Sequence, residues 1–110
     1  MQPIPFSTAD VHAPSSNTAA VVTYAAVSDR RHVISGVAWS YSAAPTGGQL
    51  TIEDGSGNTV FQIDITAAGP GVVYFTPPKN GTLNTALIAT LAAGGSSVSG
   101  KISIVGHWKE

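Results

Sequence analysis

The chain has 110 residues, of which 43% are hydrophobic and only 10% are charged, and its formal net charge is −1. This length corresponds to one domain, and the absence of cysteine excludes disulfides, thiol catalysis and thiolate metal sites. Without a basic stripe, nucleic acid is not an expected partner, and no apolar run reaches the roughly 20 residues that span a bilayer. Because typical domains carry about 25% charged residues, we expect a neutral surface that a partner or further copies cover.

Residues 1–16 are predicted to form an extended N-terminal arm, with a disordered terminus as the alternative. The arm holds three of the seven prolines, which lack an amide hydrogen and keep the preceding residue extended. It also carries apolar side chains that a free tail rarely needs, so it is expected to lie along its own domain or a neighbour. Its start does not resemble a secretory signal peptide, which predicts synthesis in the cytoplasm. The arm residues expected at an interface are Pro3, Ile4, Pro5, Phe6 and Val11.

Residues 17–110 are predicted to form a domain of seven or eight short strands. Residues 17–27 predict one strand and residues 31–42 the next, after a turn at 28–30. Gly36 indicates a bulge or a close backbone approach in the second of these strands. Strict alternation would place on one face of that strand Val33, Ser35, Val37, Trp39 and Tyr41.

A hairpin is predicted for residues 49–54 and 58–66, because the glycines of the intervening DGSG segment permit the positive φ of a tight turn. In its second arm, Phe61, Ile63 and Ile65 are expected to face the core. A further strand is predicted at residues 71–76, ended by Pro77 and Pro78.

The last third of the chain is predicted to form two long strands that fold back on each other through residues 92–97. Residues 82–93 fit both a helical stripe and a period of two, and their three threonines together with the all-strand context favour a strand. The strand spacing predicts an all-β antiparallel β-sandwich, most simply a jelly roll.

No motif for catalysis, cofactor binding or metal binding is present, so we expect a protein that is not an enzyme. His12, His32 and His107 have no metal-site spacing, and Glu53 and Asp54 are adjacent, so that strand alternation points them to opposite faces. The Gly-rich segments lack the lysine and the following helix of a phosphate loop.

Four large aromatic residues are the remaining candidates for a binding site. In a small β domain such residues usually belong to the core or to an interface, and stacking on a sugar is the alternative. These residues are Trp39, Tyr41, Tyr74 and Trp108.

Residues 36–106 resemble small structural proteins of tailed bacteriophages. The similarity lies in the WSYS strand, the TGGQLTIEDG hairpin, the AAGP turn and the LAAGGSSVSGKI segment. Several proteins of this kind are jelly-roll decoration or cement proteins of the capsid, often trimeric. The resemblance therefore implies a virion location and a role in stabilising the phage head.

The expected partners are the major capsid protein or other virion proteins, and further copies in a homotrimer. Besides the arm, the residues expected to anchor core or subunit contacts are Trp39, Tyr41 and Trp108. The alternatives are a carbohydrate- or receptor-binding module of a phage tail or fibre, and another tail or neck structural protein.

Overall fold

The computed structural model describes residues 9–109, with side chains over residues 11–106. The described residues form eight strands and no helix. None of them belongs to a helix with the length and hydropathy that crossing a bilayer requires. The strands are β1 (Ala9–His12), β2 (Ala20–Tyr24), β3 (Arg31–Tyr41), β4 (Gly48–Asp54), β5 (Thr59–Ile65), β6 (Gly71–Asn80), β7 (Leu87–Leu91) and β8 (Gly100–Lys109).

The strands form two four-stranded antiparallel sheets with the orders β1-β8-β3-β6 and β2-β7-β4-β5. The pairs β1–β8, β2–β7, β3–β6 and β4–β5 are nested one inside the next along the chain. This nesting across two packed sheets is the jelly-roll arrangement, so the predicted all-β sandwich is confirmed. β1 lies within the segment predicted as the arm, and residues 1–8 are outside the described part of the chain.

The core lies between the sheets and is supplied by alternate residues of the strands, as the period of two requires. Fully burying one Leu, Ile or Val contributes about 1.5–3 kcal/mol to the free energy of unfolding. The largest completely buried side chains come from both sheets and are Ile34, Val37, Leu50, Ile52, Leu91, Ile102 and Ile104.

A bulge in β3 changes which residues face the core. The pairing register with both β6 and β8 shifts between Ile34 and Gly36, as the glycine predicts. As a result, Ile34 before the bulge and Val37 after it both belong to the core. The expected single face is therefore wrong across the bulge, which inserts a residue into the alternation, but Val37, Trp39 and Tyr41 after it share the core face as predicted.

Two predicted boundaries are also wrong. β6 continues through Pro77 and Pro78 to Asn80, because it is the edge strand of its sheet, where a missing amide hydrogen is tolerated. The predicted hairpin of residues 82–108 does not form: β7 and β8 belong to opposite sheets, and the segment between them crosses from one sheet to the other.

The strand interpretation itself is confirmed for residues 87–91 of the ambiguous segment, where Leu87, Ala89 and Leu91 face the core. The β4–β5 hairpin is also confirmed, with Gly55 and Gly57 at φ values of 82° and 86°. In β5, Ile65 is buried and Phe61 and Ile63 pack against the core, as predicted.

Candidate interaction surface

The outer face of the β1-β8-β3-β6 sheet carries a continuous set of uncharged side chains. Register places Val11, Ser103, Ala38 and Val72 in one row across all four strands. We call this row, together with its outward neighbours Val105 and Tyr74 in the next row, the apolar face. None of the six described side chains that define it is charged.

Four members of the apolar face are strongly exposed for apolar residues, and Ala38 and Ser103 between them are partly exposed. The exposed fractions are 75% for Tyr74, 66% for Val11, 52% for Val72 and 48% for Val105. Their orientation follows from alternation, because Ile102 and Ile104 are completely buried and therefore turn the residues between and after them outward. A contiguous exposed apolar patch on a small domain indicates a contact surface.

Gly36 shapes the centre of the apolar face. A Cβ atom at this position would lie 3.2 Å from Cδ1 of Tyr74, so the tyrosine ring rests over the glycine backbone. The ring is held down on the sheet while most of its surface stays open to solvent. On the other side of the row of Val11, Ser103 and Ala38 from this ring, a shallow hollow of about 270 Å³ is lined by these residues and by the exposed Lys101.

The opposite sheet presents a different chemistry. Its outer rows place Thr90, Thr51 and Gln62 side by side, and the Gln62 amide donates to the Thr51 hydroxyl at 3.2 Å. The carboxylates of Glu53 and Asp64 also belong to its outward positions. The two outer faces therefore differ, and the apolar one is the candidate for contact with another protein.

The histidines have structural roles where the structure describes them. Nδ1 of His12 accepts a hydrogen bond from the Val21 amide at 2.9 Å, which joins β1 to β2. His32 is buried, with Nε2 2.8 Å from the Ala25 carbonyl oxygen and its ring 5.4 Å from that of Tyr24. Among the described residues, no group of three His, Asp or Glu side chains could hold a metal ion.

Asp54, one of the two adjacent carboxylates at the β4–β5 hairpin, is bound to the loop that follows β6. Asp54 accepts hydrogen bonds from the Thr82 amide at 3.0 Å and from the Thr82 hydroxyl at 2.6 Å. It therefore anchors the loop between β6 and β7. A cavity of about 320 Å³ beside it is lined by Lys79 and by apolar residues such as Ile34 and Leu87.

The structure separates the residues that were expected at an interface. Val11 lies on the apolar face, whereas Tyr41 is buried and donates a hydrogen bond to the Ala92 carbonyl oxygen at 2.6 Å. Burial raises the pKa of Tyr41 above its ordinary value, although a backbone hydrogen bond from Gln49 acts in the opposite direction. Pro3, Ile4, Pro5, Phe6 and the side chain of Trp108 are outside the described part of the chain.

Trp39 lies at the end of the sandwich, half-buried and packed against the core. A Cβ atom on Gly71 would be 2.3 Å from Cζ2 of Trp39, so the indole lies directly against the glycine backbone. The indole face against Gly71 is therefore not available for stacking on a sugar.

Sequence reasoning missed most of the apolar face. Val72 and Tyr74 alternate in the GVVYFT strand, but Val73 and Phe75 between them are apolar too. The pattern therefore contains no polar residue that marks the outer side. The register across four strands is needed to show that these residues are outward neighbours of Val105 and Val11.

No protein-family model matches the chain, and no curated protein matches it significantly. Among solved structures, it is similar to a chain in the acidic stable capsid structure of Helicobacter pylori bacteriophage KHP30, with a TM-score of 0.52 and 15% identity over 99% of this chain and 98% of that one. It is also similar to the family 32 carbohydrate-binding module of C. perfringens NanJ in complex with galactose, with a TM-score of 0.48 and 12% identity over 97% and 98%.

A third similarity is to a chain in the virus-like particle of the Macrobrachium rosenbergii extra small virus, with a TM-score of 0.34 and 12% identity over 100% and 85% of the two chains. At these identities, the likeness to the phage capsid chain is one of fold. The jelly-roll arrangement described above is thus also found in a chain of a phage capsid.

Proposed function

We propose that this protein is a non-enzymatic structural protein of a virion, and that it attaches to the capsid as a decoration or cement protein. The observation that carries the proposal is the apolar face, where four apolar side chains are each about half exposed or more. Leaving such a patch in water is unfavourable by about 25 cal/mol per Å² of apolar area, so burial against another protein stabilises the assembly.

The composition supports the same role. Lys, Arg, Asp and Glu together number 11 of 110 residues, so few charges are available to keep neighbouring molecules apart. A protein that is held permanently in an assembly does not need that repulsion. We infer that the partners are the major capsid protein or another virion protein and further copies of the chain in a trimer, with no role for nucleic acid or a membrane.

The proposed location follows from this role: the protein is made in the host cytoplasm and resides in the virion. The sandwich supplies a rigid support, because the apolar face is built on strands whose inner sides are completely buried at Ile102 and Ile104. Attachment then uses a preformed surface, which lowers the conformational entropy lost on binding.

The test is to measure the number of copies of the protein per particle by quantitative mass spectrometry of purified particles. Wild type is expected at a fixed ratio to the major capsid protein. Val72→Lys places a charge on the apolar face and is expected to reduce the bound copies at least tenfold. Val21→Lys, on the outer face of the opposite sheet where Val21 is 37% exposed, is the matched control and should bind like wild type.

Absence of the protein from particles would overturn the proposal. Equal occupancy of particles by Val72→Lys and Val21→Lys would show that the apolar face is not the surface of attachment. Circular dichroism of both variants checks that each retains the β structure.

A further inference from the structure

We propose that the apolar face of one copy binds the N-terminal segment Pro3–Phe6 of a second copy. This inference deepens the proposed function, since self-association is part of it, but it can be tested on the protein alone. The face and the segment are two features of the same chain that match in chemistry, and Ala9, the first described residue after the segment, begins the edge strand of the sheet that carries the face.

The chemical match begins with Tyr74. An exposed aromatic ring among apolar side chains is the kind of surface that binds proline-rich extended segments, because such segments are already ordered and have little entropy to lose. Tyr74 is 75% exposed, its outward neighbours Val72 and Val105 are also exposed, and the hollow lies beyond the neighbouring row of the apolar face. The segment Pro3-Ile4-Pro5-Phe6 alternates proline with large apolar side chains and carries no charged side chain.

The polar sheet does not offer a comparable surface to this segment. Its outward positions include the carboxylates of Glu53 and Asp64 and the hydrogen-bonded pair of Thr51 and Gln62. Binding apolar side chains there would remove polar groups from water without giving them new partners, which is unfavourable. The choice between the two sheets therefore follows from their side chains.

The topology favours a second copy over the segment's own face. β1 is antiparallel to β8, with Ala9 opposite Val105 and His12 opposite Ile102. β1 thus begins opposite Val105 and runs toward the hollow, which lies farther along the strand beside Val11. Because Pro3 and Pro5 restrain the residues before them to extended conformations, a reversal would have to fit into the three residues before Ala9.

The length of the segment is sufficient to reach a neighbour. Eight residues extend for at most about 26–29 Å. Four strands about 4.8 Å apart span only about 14 Å from the first to the last. An extended segment that leaves the edge of one sheet can therefore cross the whole apolar face of an adjacent copy.

The first test uses introduced cysteines, which are unambiguous because the chain contains none of its own. A Phe6→Cys protein is mixed with a Val72→Cys protein under mild oxidation, and the yield of the mixed disulfide is measured by mass spectrometry. We expect at least ten times more product than with Val21→Cys, which is an exposed valine on the opposite sheet.

Two outcomes of this test overturn the inference. One is an equal yield with Val72→Cys and Val21→Cys. The other is that the double variant carrying both Phe6→Cys and Val72→Cys forms its disulfide within a single chain at high dilution, which would mean that the segment lies on its own face.

The second test measures self-association by sedimentation velocity over a range of protein concentrations. The full chain is expected to associate, and the double variant Ile4→Ser/Phe6→Ser and the single variant Tyr74→Ser should each raise the dissociation constant at least tenfold. Val60→Ser is the control, because Val60 is 39% exposed on β5 of the other sheet. Tyr74 and Val60 are exposed and lie outside the buried core, and a thermal unfolding curve for each variant checks that it folds.

A full chain that remains monomeric, or that associates equally in all variants, would overturn the inference. Neither experiment uses particles, so this result would not contradict the proposed attachment to a capsid, which the mass spectrometry of particles tests separately.

Discussion

Replacing Tyr41 by phenylalanine tests whether this residue stabilises the core or contributes to an interface, because only a core role predicts a loss of folding stability. Tyr41 is buried, and its hydroxyl donates a hydrogen bond to the Ala92 carbonyl oxygen at 2.6 Å. Because Tyr41 belongs to one sheet and Ala92 directly follows β7 of the other, this bond links the two layers. The ring itself packs on Gly94 and Gly100 and can keep this position in the variant.

The expected loss of stability follows from the hydrogen bond alone. An intramolecular hydrogen bond contributes about 1 kcal/mol net, and an acceptor left without a partner adds to the loss, so we expect about 1–2 kcal/mol for Tyr41→Phe. At about 2.1 cal/mol/K of unfolding entropy per residue, a chain of this length loses about 4–9 °C in Tm. Thermal unfolding followed by circular dichroism measures this change.

The same variant gives a pH dependence with a defined sign. Burial raises the pKa of Tyr41 in the folded protein above its ordinary value of about 10. Above that pH the unfolded chain loses the proton while the folded protein keeps it, so the wild type loses stability as pH rises through the folded pKa. Phenylalanine has no proton to lose, and the stability difference between wild type and Tyr41→Phe should therefore shrink from pH 7 to pH 11.

The control is Tyr74→Phe, which removes an exposed hydroxyl and should change stability by less than about 0.5 kcal/mol. An unchanged Tm for Tyr41→Phe at pH 7, or a stability difference that does not shrink at high pH, would refute the reasoning. If Tyr41→Phe weakened self-association without changing Tm, the result would support an interface role for Tyr41 instead of a core role.

Further predictions concern the strands that build the two sides of the sheet. Ile104→Ala should lower the free energy of unfolding by about 2–5 kcal/mol, whereas Val105→Ala should change it by less than about 1 kcal/mol, because the first residue is completely buried and the second is 48% exposed. Chemical denaturation measures both, and similar losses would contradict the assigned faces. Gly71→Ala should destabilise the protein by about 1–3 kcal/mol, because the new Cβ would lie 2.3 Å from Cζ2 of Trp39. An unchanged Tm in this variant would show that the indole moves freely.

Alternation in the sequence predicts the strands well where polar and apolar residues take turns. In β5, Phe61, Ile63 and Ile65 alternate with polar or exposed residues, and all three are directed at the core. The same rule failed in β3, because one bulged residue reverses the phase between Ile34 and Val37. Gly36, next to the bulge, indicates that a bulge is present, but it does not predict which residues of β3 then face the core.

The arrangement of strands was harder to predict than their positions. Glycines and small residues between β7 and β8 are as compatible with a tight hairpin as with a crossing between sheets. Here Gly94 lies against Val98 and Tyr41, so closely that a Cβ would be 2.6 Å from Cγ1 of Val98. That contact exists only in the folded sandwich, and no local sequence pattern predicts it.

The candidate surface shows the same limit. The low charge of the chain predicts a surface suited to contacts, but not which sheet presents it. The four-residue run from Val72 to Phe75 is apolar throughout, and register alone assigns two of these residues to the outside.

The nested pairing of the strands has a consequence for the time at which the protein can fold. β8 lies between β1 and β3 in its sheet, and it is the last of the eight described strands in chain order. Until residues 100–109 are made, β1 has no partner in its sheet and one edge of β3 is unpaired. We therefore expect this domain to stay unfolded on the ribosome until residues 100–109 have emerged, and to acquire protection from proteases only then.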